Sequence, residues 1–349
     1  MPDITHRCVR GGAFVITAAL WLMADASSGL AAGRTKYPLT LQNCGVSITF
    51  GKAPQRAVTI GQNSTEILLS LGLADRIAGT SWWFGPVLKQ FESENAKIKR
   101  LADGSPSFET VVAQEPDLVA VQFESDIAPQ SDAGARGQYA DLGIPTYISP
   151  ADCVKDYSVS NSGDGVRKAP FTMELVYQEI QELAEIFDVQ ERGERLVGEL
   201  KKREAGALAS VAASKVEGLP VVFWYSSKQL KDDAFVAGRM GAPAYILRAF
   251  GARNVIDSDE DWPLVGWETI AGKNPAVIVV AEMGRRRRAA DDPAEKIKFL
   301  KTDPVTSQLE AVKARRFVVM NAQSMDTTIR TIDGIEALAD GLRQFGLTN

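Results

Sequence analysis

Two segments of the chain align without a gap: SFETVVAQEPDLVAV, from Ser107 to Val121, and GWETIAGKNPAVIVV, from Gly266 to Val280. Each runs from a small residue through an aromatic, Glu, Thr, a helix-spaced apolar stretch and Pro into an unbroken apolar run. Such a run, bounded by turn residues, reads as a strand buried on both faces, the kind found in parallel sheets. A stacked array needs at least three consecutive units. Two distant copies therefore imply two related halves and exclude a solenoid. The two glutamates, Glu109 and Glu268, hold the same place in different halves and so do not form an acid/base couple.

The rest of the chain agrees with this division. RAVTIG reads as a strand, and NSTEILLSLGL as a helix with Asn63 or Ser64 as its N-cap candidate and Gly72 near its end. RIAGTS, DLVAVQF and PTYISP are further strands. From Leu219 the alternation resumes with PVVFWYS, GAPAYILRAFGA, NVID, the second copy of the unit, RFVVMN and a closing helix, TIDGIEALADGLRQF. Between the halves, TMELVYQEIQELAEIF places Leu175, Val176, Ile180, Leu183, Ala184 and Phe187 at helical spacing, and the helical pattern continues after a break near Asp188–Val189. The expected fold is α/β: two Rossmann-like lobes with central, mostly parallel sheets, joined by one long helix, with the ligand cleft between the lobes. Residues 1–32 are expected to be a signal peptide, 33–168 the N-terminal lobe, 169–216 the linking helix region and 217–349 the C-terminal lobe.

The signal peptide rests on Arg7 and Arg10 ahead of an apolar stretch, GGAFVITAALWLMA, and a small-residue segment, DASSGLAA, with cleavage after Ala26 or Ala31. A membrane anchor is the alternative, but a span needs about 20 apolar residues. Removing the leader removes Cys8 and the single histidine, His6. That excludes a Ser-His-Asp triad and a histidine-based zinc site. No G-x-S-x-G is present either, so a secreted enzyme is disfavoured. Cys44 and Cys153 remain, in the polar contexts QNCGVS and PADCVKD. In an oxidising compartment they are expected to pair, two buried free thiols being the alternative. The formal net charge of −5 lacks the basic footprint of a nucleic-acid binder.

The segments RAVTIGQNSTEILLSLGLADRIAGTS, FETVVAQEPDLVAV, LGIPTYISP and WETIAGKNPAVIVV, with the long helix after Met173, resemble the helix-linked periplasmic substrate-binding proteins of ABC importers. That class carries iron–siderophore complexes, haem and cobalamin, and the resemblance spans both halves. It implies a monomer that captures an iron-siderophore-type chelate, holds no permanent cofactor and delivers its cargo to the permease dimer of an inner-membrane ABC transporter. Haem, a corrinoid and a deazaflavin precursor are alternative cargoes, the last from the likeness to a subgroup with NCG near the mature start. The resemblance also implies one carboxylate per lobe docking on permease arginines, and its motif falls on Glu109 and Glu268. From the residues alone, these two are first-turn acids favoured by the helix dipole.

Ligand contacts are expected just past the strand C-ends. In the first half these are Asn63, Ser64, Trp82, Trp83, Phe123 and Glu124. In the second they are Tyr225, Ser226, Arg239, Met240, Trp262, Glu282 and the segment from Asn321 to Met325. Flat rings suit a ring-bearing ligand, although any one tryptophan can equally be core. Trp82 and Trp83 leave a strand in sequence, so one faces the core and the other the cleft. Arg285 to Arg288 read either as a solvated run or as an anion site at the cleft mouth. Arg239, in a Gly-flanked loop opening a helix, is the better single anion candidate, and Arg330 a weaker one. No protein-held metal is expected; a metal arrives already chelated. Haem requires a ligand such as Tyr225, with Arg239 on a propionate.

Overall fold

A computed structural model describes residues 33–159, 164–211 and 216–347; the expected leader, with His6 and Cys8, lies outside them. Strands β1 (Leu39–Asn43) and β2 (Val46–Phe50) form an antiparallel hairpin turning at Cys44 and Gly45, both left-handed. The Asn43 side chain pairs with the backbone of Ile148 in both directions, at 2.7 and 2.8 Å, tying the hairpin to the first lobe.

The first lobe is built on β3 (Ala57–Ile60), β4 (Ile77–Ser81), β5 (Arg100–Ala102), β6 (Leu118–Val121) and β7 (Thr146–Ile148), a parallel sheet in the order β5-β4-β3-β6-β7. Every residue of β3, β6 and β7 is buried, Thr59 and Thr146 included, as a parallel sheet covered on both faces requires. A two-stranded ribbon follows, β8 (Lys155–Asp156) with β9 (Val166–Arg167). The Cys44–Cys153 disulfide joins the β1–β2 turn to the residues just before this ribbon, with the Cα atoms 4.9 Å apart.

The link between lobes is a helix pair. Met173–Ile186 buries Val176, Ile180 and Leu183 on one face; Gln190–Ala209 follows after a turn at Asp188, whose φ is 58°. The two lie antiparallel. Tyr177 near the start of the first donates to Glu204 near the end of the second at 3.2 Å, and Gly193 sits against Ala184 so closely that a Cβ there would fall 2.7 Å from the alanine methyl. The first helix is held to the N-terminal lobe by Tyr147 on Glu182 and Ser149 on Glu179. The second spans about 30 Å and meets the closing helix Thr331–Gln344, where Arg203 forks to Asp333 and Glu336 at 2.6 Å each.

The second lobe contains β10 (Pro220–Ser227), β11 (Ala234–Val236), β12 (Arg253–Asn254), β13 (Leu264–Val265), β14 (Val277–Glu282) and β15 (Phe317–Asn321). The sheet runs β13-β11-β10-β14-β15, with β12 on β10; β11 pairs antiparallel with both β10 and β13, and the other pairings are parallel. The doubled unit occupies the same place in both sheets. In each, a short helix (Phe108–Val112 or Trp267–Lys273) leads through a left-handed residue, Glu115 or Asn274, and a proline into the fourth strand of the order. Even single backbone bonds recur: Asp117 to Arg56 and Val119 to Pro145 in one copy, Ala276 to Pro220 and Ile278 to Arg316 in the other. One apolar cluster joins the lobes and the link, running through Leu68, Ile180, Val221 and Ile332.

Candidate ligand-binding cleft

The C-terminal ends of both sheets open on one cavity of about 300 Å³. The first lobe contributes Trp82 just past β4 and Phe84, Phe123 and Asp126 from the neighbouring loops. The ribbon contributes Lys155 and Tyr157. The second lobe contributes Tyr225 and Ser226 from the end of β10, with Trp262, Arg285, Arg288 and Asp326 from loops. The aromatic side chains are stacked edge-on into walls. Trp82 meets Phe84 at 6.2 Å and Phe84 meets Phe123 at 6.5 Å between centroids; across the space Tyr225 lies on Trp262 at 4.5 Å.

Trp82 has a φ of 63°, a left-handed conformation that costs a bulky residue roughly 1–3 kcal/mol. It is held there because its N–H donates to Gly104 and that of Trp83 to Asp103, extending the ladder past β4. The turn aims the Trp82 ring at the cavity and sends Trp83 inward, where its Nε1 donates to Thr80 at 3.1 Å and Arg100 covers its face.

Ionised groups bridge the lobes beside the cavity. Lys155 lies 3.0 Å from Asp152 and 3.3 Å from Asp261, and Arg167 forks onto Asp261 at 2.8 and 3.0 Å. Burial pulls Lys155 down, but the two carboxylates outweigh it and hold it above its ordinary value. Asp326 accepts from Tyr225 and Gln323, each at 3.1 Å, and burial raises it to about 7. Burial, with Asp152 nearby, raises Asp126 to about 8. A second contact between lobes lies at the loops: the Arg285 N–H donates to Phe84 at 3.3 Å while its guanidinium covers the Phe84 ring. Gly284 allows this approach, since a Cβ there would meet Pro86 at 2.8 Å.

Of the residues expected at the ligand, Trp82, Phe123, Tyr225 and Trp262 line the cavity, as do Ser226, Met325, Arg285 and Arg288. Asn63, Ser64, Trp83, Arg239 and Glu282 do not. Asn63 and Ser64 are buried in the first turn of helix Gln62–Ser70. Asn63 is a junction: it takes the Ile329 N–H at 2.9 Å, donates to Glu179 at 3.2 Å and has its own N–H on Gln122. Arg239 faces outward, held by Asp257 at 3.1 Å and Asp259 at 2.8 Å, and Glu282 pairs with Arg286 at 3.3 Å. The Tyr225–Arg239 arrangement expected for haem is therefore not formed, and the Tyr225 hydroxyl is already engaged by Asp326. Arg330 is buried against Glu66, with Nε 2.7 Å from its carboxylate, and also donates to Pro86. Glu124 lines an adjoining cavity of about 560 Å³ that shares Ser125, Lys155 and Tyr157 with the first.

Sequence reasoning missed Phe84, Asp126, Lys155, Tyr157 and Asp326. The signal for Asp126 was its place in the turn that opens at Phe123, where its N–H bonds the Phe123 carbonyl. Among the described residues, no three His, Cys, Asp or Glu side chains are grouped to hold a metal ion. Glu109 and Glu268 are exposed in the first turns of their helices. The first-turn backbone and Ser107 hold Glu109 below the usual carboxylate range.

A family profile described as "Periplasmic binding protein" matches residues 58–324. The chain is 22% identical over 323 residues to an uncharacterised ABC transporter substrate-binding lipoprotein, YvrC, of Bacillus subtilis, covering 91% of this chain and 90% of that one. It is 21% identical over 263 residues to a vitamin B12-binding protein of Photorhabdus laumondii, covering 75% and 80%. The fold is shared with the solved structure described as an ABC-type Fe3+-hydroxamate transport system of Saccharomonospora viridis, with a TM-score of 0.70 and 24% identity over 88% of this chain and 99% of that one. With its fold, its helical link and a profile match over most of its length, the chain belongs to the helix-linked periplasmic binding proteins of ABC importers.

Proposed function

We propose that the protein is exported to the periplasm by residues 1–32, captures an iron-siderophore-type chelate in the interlobe cavity and delivers it to an ABC permease dimer through Glu109 and Glu268. The lobes divide as residues 33–168 and 217–349, joined by 169–216; the protein acts as a monomer and keeps no cofactor. The family consists of transport binding proteins. The observation that carries the ligand reading is the cavity itself. It lies where both sets of strand ends converge, and its walls are aromatic. Among the described residues no donor cluster suits a bare ion, which supports a metal that enters inside an organic shell.

Tryptophan fluorescence tests this, because Trp82 and Trp262 both line the cavity. A ferric hydroxamate or catecholate complex quenches the emission and free ferric ion does not. An equal response to free ferric ion overturns the reading. A corrinoid is the second reading, supported by the relative named as a vitamin B12-binding protein. A cobalamin that quenches where ferric chelates fail replaces the first reading with the second.

A further inference from the structure

The polar groups around the cavity carry an excess of acid. Asp261 and Asp152 take up both cations that reach them, Lys155 and Arg167. Among the described residues, Asp326 takes side-chain hydrogen bonds from the neutral donors Tyr225 and Gln323. Asp126 is the clearest case. It lines the cavity, is 8% exposed, and its Oδ2 is buried with no hydrogen-bond partner among the described residues. An unpaired buried carboxyl costs several kcal/mol when charged, so the ionised form of Asp126 calls for a partner that arrives from outside. Of the cations facing the space from the second lobe, Arg285 lies over the Phe84 ring 3.7 Å from Asp291, its Nε buried without a hydrogen-bond partner among the described residues, and Arg288 is exposed.

The surroundings of Asp126 suit one class of partner. Ring faces attract cations, and a carboxylate beside them adds a charge-assisted hydrogen bond. Phe123 opens the turn that carries Asp126, and Tyr157, Trp82 and Trp262 line the same space. Lys155 already exploits this environment, with its ammonium 5.8 Å from the Phe123 ring and 5.7 Å from that of Tyr157.

We propose that the ligand carries an organic cation, a protonated amine or its equivalent, and that Asp126 receives it among the aromatic faces of the cavity. This rests on the chelate reading above and narrows it to chelates with a pendant cationic arm. The empty protein holds Asp126 as a neutral acid, because burial first and Asp152 second raise it to about 8. An incoming ammonium ionises the group, so complex formation near neutral pH releases a proton.

The experiment uses two ferric trihydroxamates that differ only in whether a terminal amine is free or N-acetylated, titrated by calorimetry in buffers of different ionisation enthalpy. The free amine is expected to bind about tenfold tighter or better, with a buffer-dependent heat that reports proton release. Asp126→Asn is expected to erase both the preference and the proton release while keeping the melting temperature at or above wild type, since it removes an unpaired buried carboxyl. Trp82→Ala weakens both chelates alike. Equal affinity of the two chelates for the wild type overturns the inference and leaves the chelate reading standing. A preference that survives in Asp126→Asn overturns the role of Asp126. Failure of either chelate to bind overturns the chelate reading, and this inference falls with it.

Discussion

Asp126, Glu179 and Asp326 are carboxyls placed where water is scarce. Glu179 accepts from Ser149 at 2.5 Å and Asn63 at 3.2 Å, yet its Oε1 has no partner among the described residues, and burial raises it to about 7. Asp126 rises to about 8 and Asp326 to about 7, burial leading in both. A raised acid keeps its proton in the folded state after the unfolded chain has lost its own, so stability falls as pH climbs from the ordinary carboxylate value to the raised one. Lys296, lowered by burial to about 7, has the opposite sign, and its contribution grows only between about 7 and its ordinary 10.5. The melting temperature of the ligand-free protein is therefore expected to be higher at about pH 5 than at about pH 8, and Glu179→Gln to flatten the slope. A profile that rises over this interval contradicts the assignment. Asn63 shows why such groups escape sequence reading. It stands at a strand end like a ligand residue, but its partners come from positions 179 and 329, separations that no local pattern encodes.

Among the elements, the β8–β9 ribbon is the smallest and the most consequential for the site, since it carries Lys155 and leads to Tyr157. Two short strands bury little on their own, and the disulfide fixes the entry to the ribbon at Cys153. Replacing both cysteines with serine is expected to lower stability by about 2–5 kcal/mol in urea unfolding; an unchanged midpoint means the ribbon is held by its ion pairs alone. The ribbon was illegible in the sequence because neither strand is long enough to show a period. The doubled unit was legible for the opposite reason: its left-handed turn, its proline and its buried strand each leave a mark on residue choice. The linking region was read with its break at Asp188–Val189, but the antiparallel return depends on the close fit of Gly193 on Ala184, which is a tertiary contact. Arg239 was misread because a Gly-flanked loop suggested an anion site, whereas its neighbours Asp257 and Asp259 already supply the anions.

For the whole molecule, the docking proposed for Glu109 and Glu268, at matched positions, asks two lobes to act together. Both side chains are exposed, so Glu109→Arg and Glu268→Arg are expected to leave folding and chelate affinity unchanged. Each is expected to impair uptake through the permease, and the pair to abolish it, because paired charges set orientation and on-rate more than affinity. Loss of ligand affinity, or uptake that persists in the double variant, overturns the docking role. The order in which the chain is synthesised adds a last consequence. The first sheet is complete once Ile148 has been made. Its first helix nevertheless buries Glu66 and Asn63, whose partners Arg330 and Ile329 lie just before the final helix. A growing chain thus lacks the Arg330 guanidinium that pairs with Glu66 and the Ile329 N–H that meets Asn63 until its last residues emerge, and leaving a buried charge without its counter-ion is strongly destabilising. The first lobe made without residues 329 and 330 is therefore expected to be less stable than the same lobe in the whole chain.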